Sequence, residues 1–241
     1  WRTTIEKILP ADSVVTAPTA RGCAEMAYTG DNKLLLFGGE NAYVRNNETY
    51  IYDITADQWT LRRPVGSPSP RYNFAMDYLG NDKVLLFGGV GGSYDTWIYD
   101  LAANTWSQVC PAIYPNINTG MDMAYIGTGK ALLYDRANLV TWLFDLATNT
   151  WTSKSPVVSP DNIGEGYAMS YIGADRVVLE SYANESWGHV WTYDLSENNW
   201  TRRCNLLFAP GGGEMAYLGS DQAFLFPGDR SNRTFLYDYG S

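Results

Sequence analysis

Basic charge is scarce in this chain of 241 residues: 17 Lys and Arg stand against 26 Asp and Glu, a formal net charge of −9. Nucleic-acid phosphate is bound through a basic surface, so no nucleic-acid role is expected, nor docking on anionic lipid. Cations and basic partners are permitted. No apolar run approaches the roughly 18 residues of a spanning helix, which argues against membrane insertion. Cysteine is scarce too. Three are too few for a disulfide scaffold, and an odd count leaves at least one unpaired within the chain. Their spacing fits no zinc site. Cys110 and Cys204 follow tryptophans in different repeats and should lie too far apart to bridge; a bridge from Cys23 to Cys204 stays open. There is a single histidine, His189. A Ser-His-Asp site needs it beside a nucleophile, and nothing marks one. "GGVGG" opens no helix, so it is no phosphate loop. No stretch carries a helical period. The chain opens at Trp1 without Met, which points to a processed or trimmed product. N-x-S/T sequons at Asn47, Asn184, Asn199 and Asn232 point to a secreted or cell-surface glycoprotein, with coincidence as the alternative.

What is abundant is repetition. Trp59, Trp106, Trp151 and Trp200 recur at spacings of 47, 45 and 49. Each ends a phrase of aromatic residue, Asp, polar turn and Trp, as in "TYIYDITADQWT" and "TWLFDLATNTWT". Upstream stands a second phrase in five copies, from "EMAYTGDNKLLLFGG" to "EMAYLGSDQAFLFPG". Each copy predicts four antiparallel strands. The first alternates around Met and Tyr. A tight polar turn leads to a continuous apolar strand, buried on both faces. A variable loop, the "YIYD" strand, a polar turn and the Trp strand follow. Four short strands at this period describe a β-propeller blade.

The diglycines Gly38-Gly39 and Gly88-Gly89, followed by Tyr and then Trp, resemble the kelch-repeat family over essentially the whole chain. The resemblance implies an all-β, kelch-like β-propeller, and the five copies make it five-bladed, in one domain spanning 1–241, where kelch propellers more often have six or seven blades. Blades are expected near 15–63, 64–110, 111–155, 156–204, and 205–241 plus 1–9. Copper-radical oxidases on a kelch-like propeller need more than one His, so that activity is disfavoured. Three copies depart from the diglycine, with Tyr134-Asp135, Glu180-Ser181 and Pro227-Gly228 in its place.

The last copy, "TFLYDYGS", lacks its Trp. Joining the end to the start restores the phrase, with Trp1 in the missing place. Trp1–Leu9 is therefore expected as the outer strand of the last blade, removing an open edge. A frayed terminus, or donation of the strand to a neighbouring molecule, are the alternatives.

Strand direction places the long, irregular loops and the linkers on one face. That face is expected to carry ligand-binding residues Tyr43, Arg45, Tyr72, Tyr94, Tyr114, Arg136, Tyr182, Trp187, His189 and Arg230. On the innermost strands, Glu25, Asp122 and Glu214 precede the repeated Met and form a partial ring at the channel mouth. The ring would suit Ca²⁺ or a basic side chain, or pair with Arg21 and Arg71. The repeated Asp of "YD" is read as a turn residue and the repeated Trp as packing. Three functions follow. The first is a non-catalytic module binding a protein or glycan through the loop face. The second is a structural protein assembling into a homo-oligomer, fibre or surface layer. The third is a glycan-active enzyme using the channel carboxylates.

Overall fold

The computed structural model describes residues 12–92, 94–117, 119–161, 167–184, 187–206, 214–219, 222–226 and 235–238. The expected outer strand Trp1–Leu9 lies outside them, as do Arg230, Asn232 and the side chains of Tyr182, Asn184, Trp187 and Glu214.

Among the described residues every regular element is a β-strand. Sheet one holds β1 (Ser13–Val15), β2 (Glu25–Gly30), β3 (Lys33–Phe37), β6 (Thr49–Asp53) and β7 (Gln58–Arg62). A small hairpin, β4 (Glu40–Asn41) with β5 (Val44–Arg45), rises from its long loop. Sheet two holds β8 (Ala75–Gly80), β9 (Lys83–Phe87), β10 (Thr96–Asp100) and β11 (Thr105–Val109). Sheet three holds β12 (Met121–Tyr125), β13 (Lys130–Asp135), β14 (Val140–Asp145) and β15 (Thr150–Lys154). Sheet four holds β16 (Ala168–Tyr171), β17 (Arg176–Asn184), β18 (Trp187–Asp194) and β19 (Asn199–Leu206). Sheet five holds β20 (Glu214–Gly219), β21 (Gln222–Phe226) and β22 (Phe235–Asp238). Sheets two to four are four-stranded antiparallel meanders, as the repeat predicts. The entering segment β1 adds an unforeseen fifth strand to the outer edge of sheet one, pairing with β7.

The turns follow local chemistry. Asp31-Asn32 and Asn81-Asp82 take positive φ between paired strands, the backbone that Asn and Asp tolerate best. The "YD" aspartates cap the next turn: Asp53 Oδ1 accepts the Thr55 and Ala56 amides at 2.9 Å, and Asp100, Asp145 and Asp194 repeat the arrangement. Asp57, Asn104, Asn149 and Asn198 close these turns at positive φ. Tyr52, Tyr99 and Tyr193 each donate a hydroxyl to that residue in their own sheet.

The core lies between sheets. Ala27, Leu35, Phe37 and Ile51 of sheet one bury against Phe74, Met76, Val84, Leu86, Tyr99 and Trp106 of sheet two. The same pattern recurs between sheets two and three and between three and four. Three of the four repeated Trp donate the indole N–H to a Thr of the preceding sheet: Trp106 to Thr49, Trp151 to Thr96 and Trp200 to Thr141. The Trp set is packing, as expected. One flank is bare. Met26 is 55% exposed where Met76, Met123 and Met169 are 5%, 3% and 7%. Leu236 on β22 is also exposed, where its equivalents Ile51, Ile98 and Leu143 are buried.

The sequence reading needs three corrections. "ESYANESWGH" is not a long loop. Glu180-Ser181 replaces the diglycine, so no left-handed turn interrupts the ladder and β17 and β18 run on as a hairpin. Tyr182, Trp187 and His189 are therefore strand residues. Arg21 and Arg71, expected at the channel mouth, bind loop acids, Glu48 and Asp95, as described below. Cys23 carries a free thiol, so the bridge to Cys204 is not formed.

Candidate functional site

Two connected regions concentrate polar groups. The first is a channel cavity of about 470 Å³ lined from β2, β8, β12, β16 and β20, among them Glu25, Tyr28, Asp77, Asp122, Tyr171 and Ala216. Its carboxylates act as clamps. Asp77 Oδ1 accepts its own following amide at 2.7 Å, and Oδ2 accepts the Tyr125 amide of the next sheet at 2.6 Å. Asp122 does the same, to Met123 and to Met169 of sheet four, both at 2.7 Å. Neighbouring inner strands are thus stapled by carboxylates rather than by a β-ladder. Asp77 sits two positions beyond the one singled out in the sequence and was missed. Sheet two has Ala before its Met and the acid after it, so only the alternation of acid and Ala across both positions signals it. Among the described residues no group of three or more His, Cys, Asp or Glu could hold a metal.

Burial pushes the Asp77 carboxyl up from 3.8 to about 6, against the pull of its two amide donors. A carboxyl raised on folding favours the folded state while protonated, and that advantage fades as pH rises from about 4 to about 6. Asp77→Asn is expected to flatten stability over this window. The wild-type-minus-variant difference in unfolding free energy, read from urea titrations, should change by up to about 3 kcal/mol, less what channel water screens. Parallel pH profiles would refute this.

The second region is the channel's loop-face mouth, a polar cup of about 330 Å³ lined by Glu25, Asn73, Thr119, Gly120, Arg136 and Tyr167 among others. Tyr167, also missed, has its hydroxyl 2.9 Å from the carbonyls of both Gly120 and Tyr134. Burial, then the charge of Asp122, holds it well above the usual tyrosine range, so it serves as a neutral donor. Arg136 Nε is buried without a hydrogen-bond partner. Its guanidinium flanks Gly120, where any side chain would press on it.

Around the cup the loops are braced by arginine. Arg71, fully buried, satisfies all five donors: Asp95 Oδ1 at 2.5 Å and Oδ2 at 2.8 Å, the Gly88 carbonyl at 2.8 Å, and the carbonyl and hydroxyl of Ser69. Burial opposes the charge on Asp95, yet Arg71 and the Trp97 indole hold its carboxyl below the usual range. Arg21 repeats the frame with Glu48 at 2.7 Å and the Gly38 carbonyl at 3.0 Å. Diglycine and arginine therefore occur together because one grips the other. A side chain at Gly38, which sits at φ +65°, would also meet Phe74 and the Arg71 carbonyl at 2.8 Å. Sheet three lacks the pair and caps its own turn, Asp135 accepting from Asn138.

Of the expected loop residues, Tyr94 stacks on Tyr114 of the following linker at 6.3 Å and 21°. Arg45 lies over the Tyr72 ring at 5.5 Å, and Tyr43 is 98% exposed. His189 is half-buried on β18, and burial lowers its pKa. Asn47 is exposed, whereas the Asn199 side chain accepts the Val158 amide and ties down a linker.

A family model, that of the KLHDC2/KLHL20/DRC7 Kelch-repeats domain, matches residues 4–156. No curated protein matches the chain.

Proposed function

We propose, because this chain belongs to the kelch-repeat family, that it is a protein-binding propeller engaging its partner through the loop face around the Arg136 cup. Kelch domains mediate protein–protein interaction. The observation that carries the site is Arg136: a guanidinium lining a polar cup, suited to a partner's carboxylate or carbonyl. The Tyr94–Tyr114 stack and the Arg45–Tyr72 pair supply aromatic contacts from the loops. Rings among Arg and Asn also suit a glycan, with Tyr43 as the exposed platform. A secreted or surface location rests on the sequons, of which Asn47 is exposed.

The test is affinity capture with mass spectrometry. Arg136→Ala combined with Tyr94→Ala is expected to lose at least tenfold of each specifically captured protein. Lys130→Ala, on the opposite turn face, should lose none. Equal capture by both variants would place the binding surface elsewhere.

A further inference from the structure

Large apolar residues rarely take left-handed backbone, because the Cβ crowds the following carbonyl. Among the described non-glycine residues with positive φ, three are large and apolar: Tyr43 at +70°, Tyr94 at +49° and Leu139 at +56°. The others are Asn, Asp or small side chains. Each of the three stands between the second and third strands of the repeat, in sheets one, two and three in turn. Strain kept at matching places in successive sheets points to a use outside the fold itself. The fold gains little from these side chains where they face water: Tyr43 is 98% exposed and Leu139 46%. Ala42, at φ +45°, and Tyr43 form the two-residue turn of the β4–β5 hairpin, a turn that Asn-Gly makes with least strain. Below that tip the hairpin is fastened. Gly22 and Glu40 exchange amide hydrogen bonds at 2.9 Å, and the Asn46 carbonyl accepts the Arg71 amide at 3.0 Å. Tyr43 is therefore held out on a braced support.

The three loops form one crest. The Arg45 stem lies beside Gly91 of the second loop, Tyr94 stacks on Tyr114, and the Arg136 guanidinium of the third loop lies against Gly120. Charge along the crest runs against the chain's net −9. Glu48, Asp95 and Asp135 are already bonded to Arg21, Arg71 and Asn138. Arg45 and Arg136 stand outside the salt bridges of the described residues, with Glu40 as the remaining acid of the three loops. We infer that Tyr43, Tyr94 and Leu139 are binding knobs, and that the crest takes an extended segment of a partner protein in which apolar side chains alternate with carboxylates. The knobs receive the apolar side chains, and Arg45 and Arg136 between them receive the carboxylates. Val44, 65% exposed, and Leu139 offer a sugar's hydroxyls no hydrogen bond, which favours a protein segment over a glycan. The inference rests on the loop-face reading and names the partner class and the residues that select it.

The probe is a phage-displayed library of random peptides, panned on the whole chain. Enriched peptides are expected to combine apolar and acidic residues. They should bind Tyr43→Gly and Leu139→Gly at least about tenfold more weakly than the wild type. The same two variants should be more stable, with the unfolding equilibrium shifted about two- to fivefold toward the folded state as the strain is released. Contacts that merely supported the loops would give the opposite sign. A knob variant no more stable than the wild type overturns the inference, as does a library without enrichment. Peptides weakened by Arg136→Ala with Tyr94→Ala but not by the knob variants overturn it while leaving the loop face as the binding surface. Peptides that bind all the variants unchanged overturn both readings. Binding on a glycan array that survives Leu139→Gly would give the crest to a sugar instead.

Discussion

Met76→Asp is expected to abolish cooperative folding at neutral pH, whereas Met26→Asp should cost less than about 1 kcal/mol. The two methionines hold the same place in the repeat and differ in cover. Met76 is 5% exposed in the core between sheets one and two, and Met26 is 55% exposed. An aspartate at 76 is an unpaired charge among Leu35, Phe37, Val84 and Leu86. Such burial costs several kcal/mol, a large part of the roughly 5–15 kcal/mol that holds a domain together. At position 26 the carboxylate reaches water. Far-ultraviolet circular dichroism with thermal melts reads the difference directly. Equal destabilisation by both variants would mean that the flank of sheet one is covered in solution.

Arg71→Ala should cost about 3–5 kcal/mol, the range for removing one partner of a buried ion pair. The guanidinium satisfies five acceptors at zero exposure, and its loss strands Asp95 at 15% exposure with the Trp97 indole as its remaining described donor. Arg71→Lys should recover less than half. An ammonium cannot span both Asp95 oxygens and also reach Ser69 and the Gly88 carbonyl. Arg21→Ala serves as the internal comparison. Its partner Glu48 is 35% exposed, so water takes over part of the role and the cost should be about 1–2 kcal/mol. Chemical denaturation of the three variants tests the order. Arg21 costing as much as Arg71 would contradict it.

Much of this was legible in the sequence because the repeat states one solution several times. Trp spacing, the apolar second strand and the Asp-led turns each depend on short-range chemistry, and all were recovered. What escaped depends on neighbours brought together by the fold. The threonine at the head of the third strand reads as an ordinary β-former; only the packed structure shows it accepting the next sheet's indole. Asp122 reads with Glu25 and Glu214 as a ligand ring, because sequence cannot show that a backbone amide of the adjacent strand already occupies it; Asp77, clamped in the same way, went unread. The hairpin of sheet four was misplaced because "ESYANES" has no apolar alternation, and its length is set by the absent diglycine. The Arg136 cup was half visible: the arginine was singled out, but Thr119 comes from its own sheet's entry segment and Tyr167 from that of the next sheet.

The placement of the core between sheets also bears on how such a chain changes over time. A single repeat cut out of the molecule owns half of two cores and the whole of neither, so it has no reason to fold alone. A whole repeat gained or lost, by contrast, adds or removes one interface of a standard kind, with its Met, its aliphatic strand and its Trp–Thr bond. The number of repeats is therefore easier to alter than the content of any one of them. Sequence drift should be tolerated first at exposed repeat positions, such as Met26 and Tyr28 of sheet one.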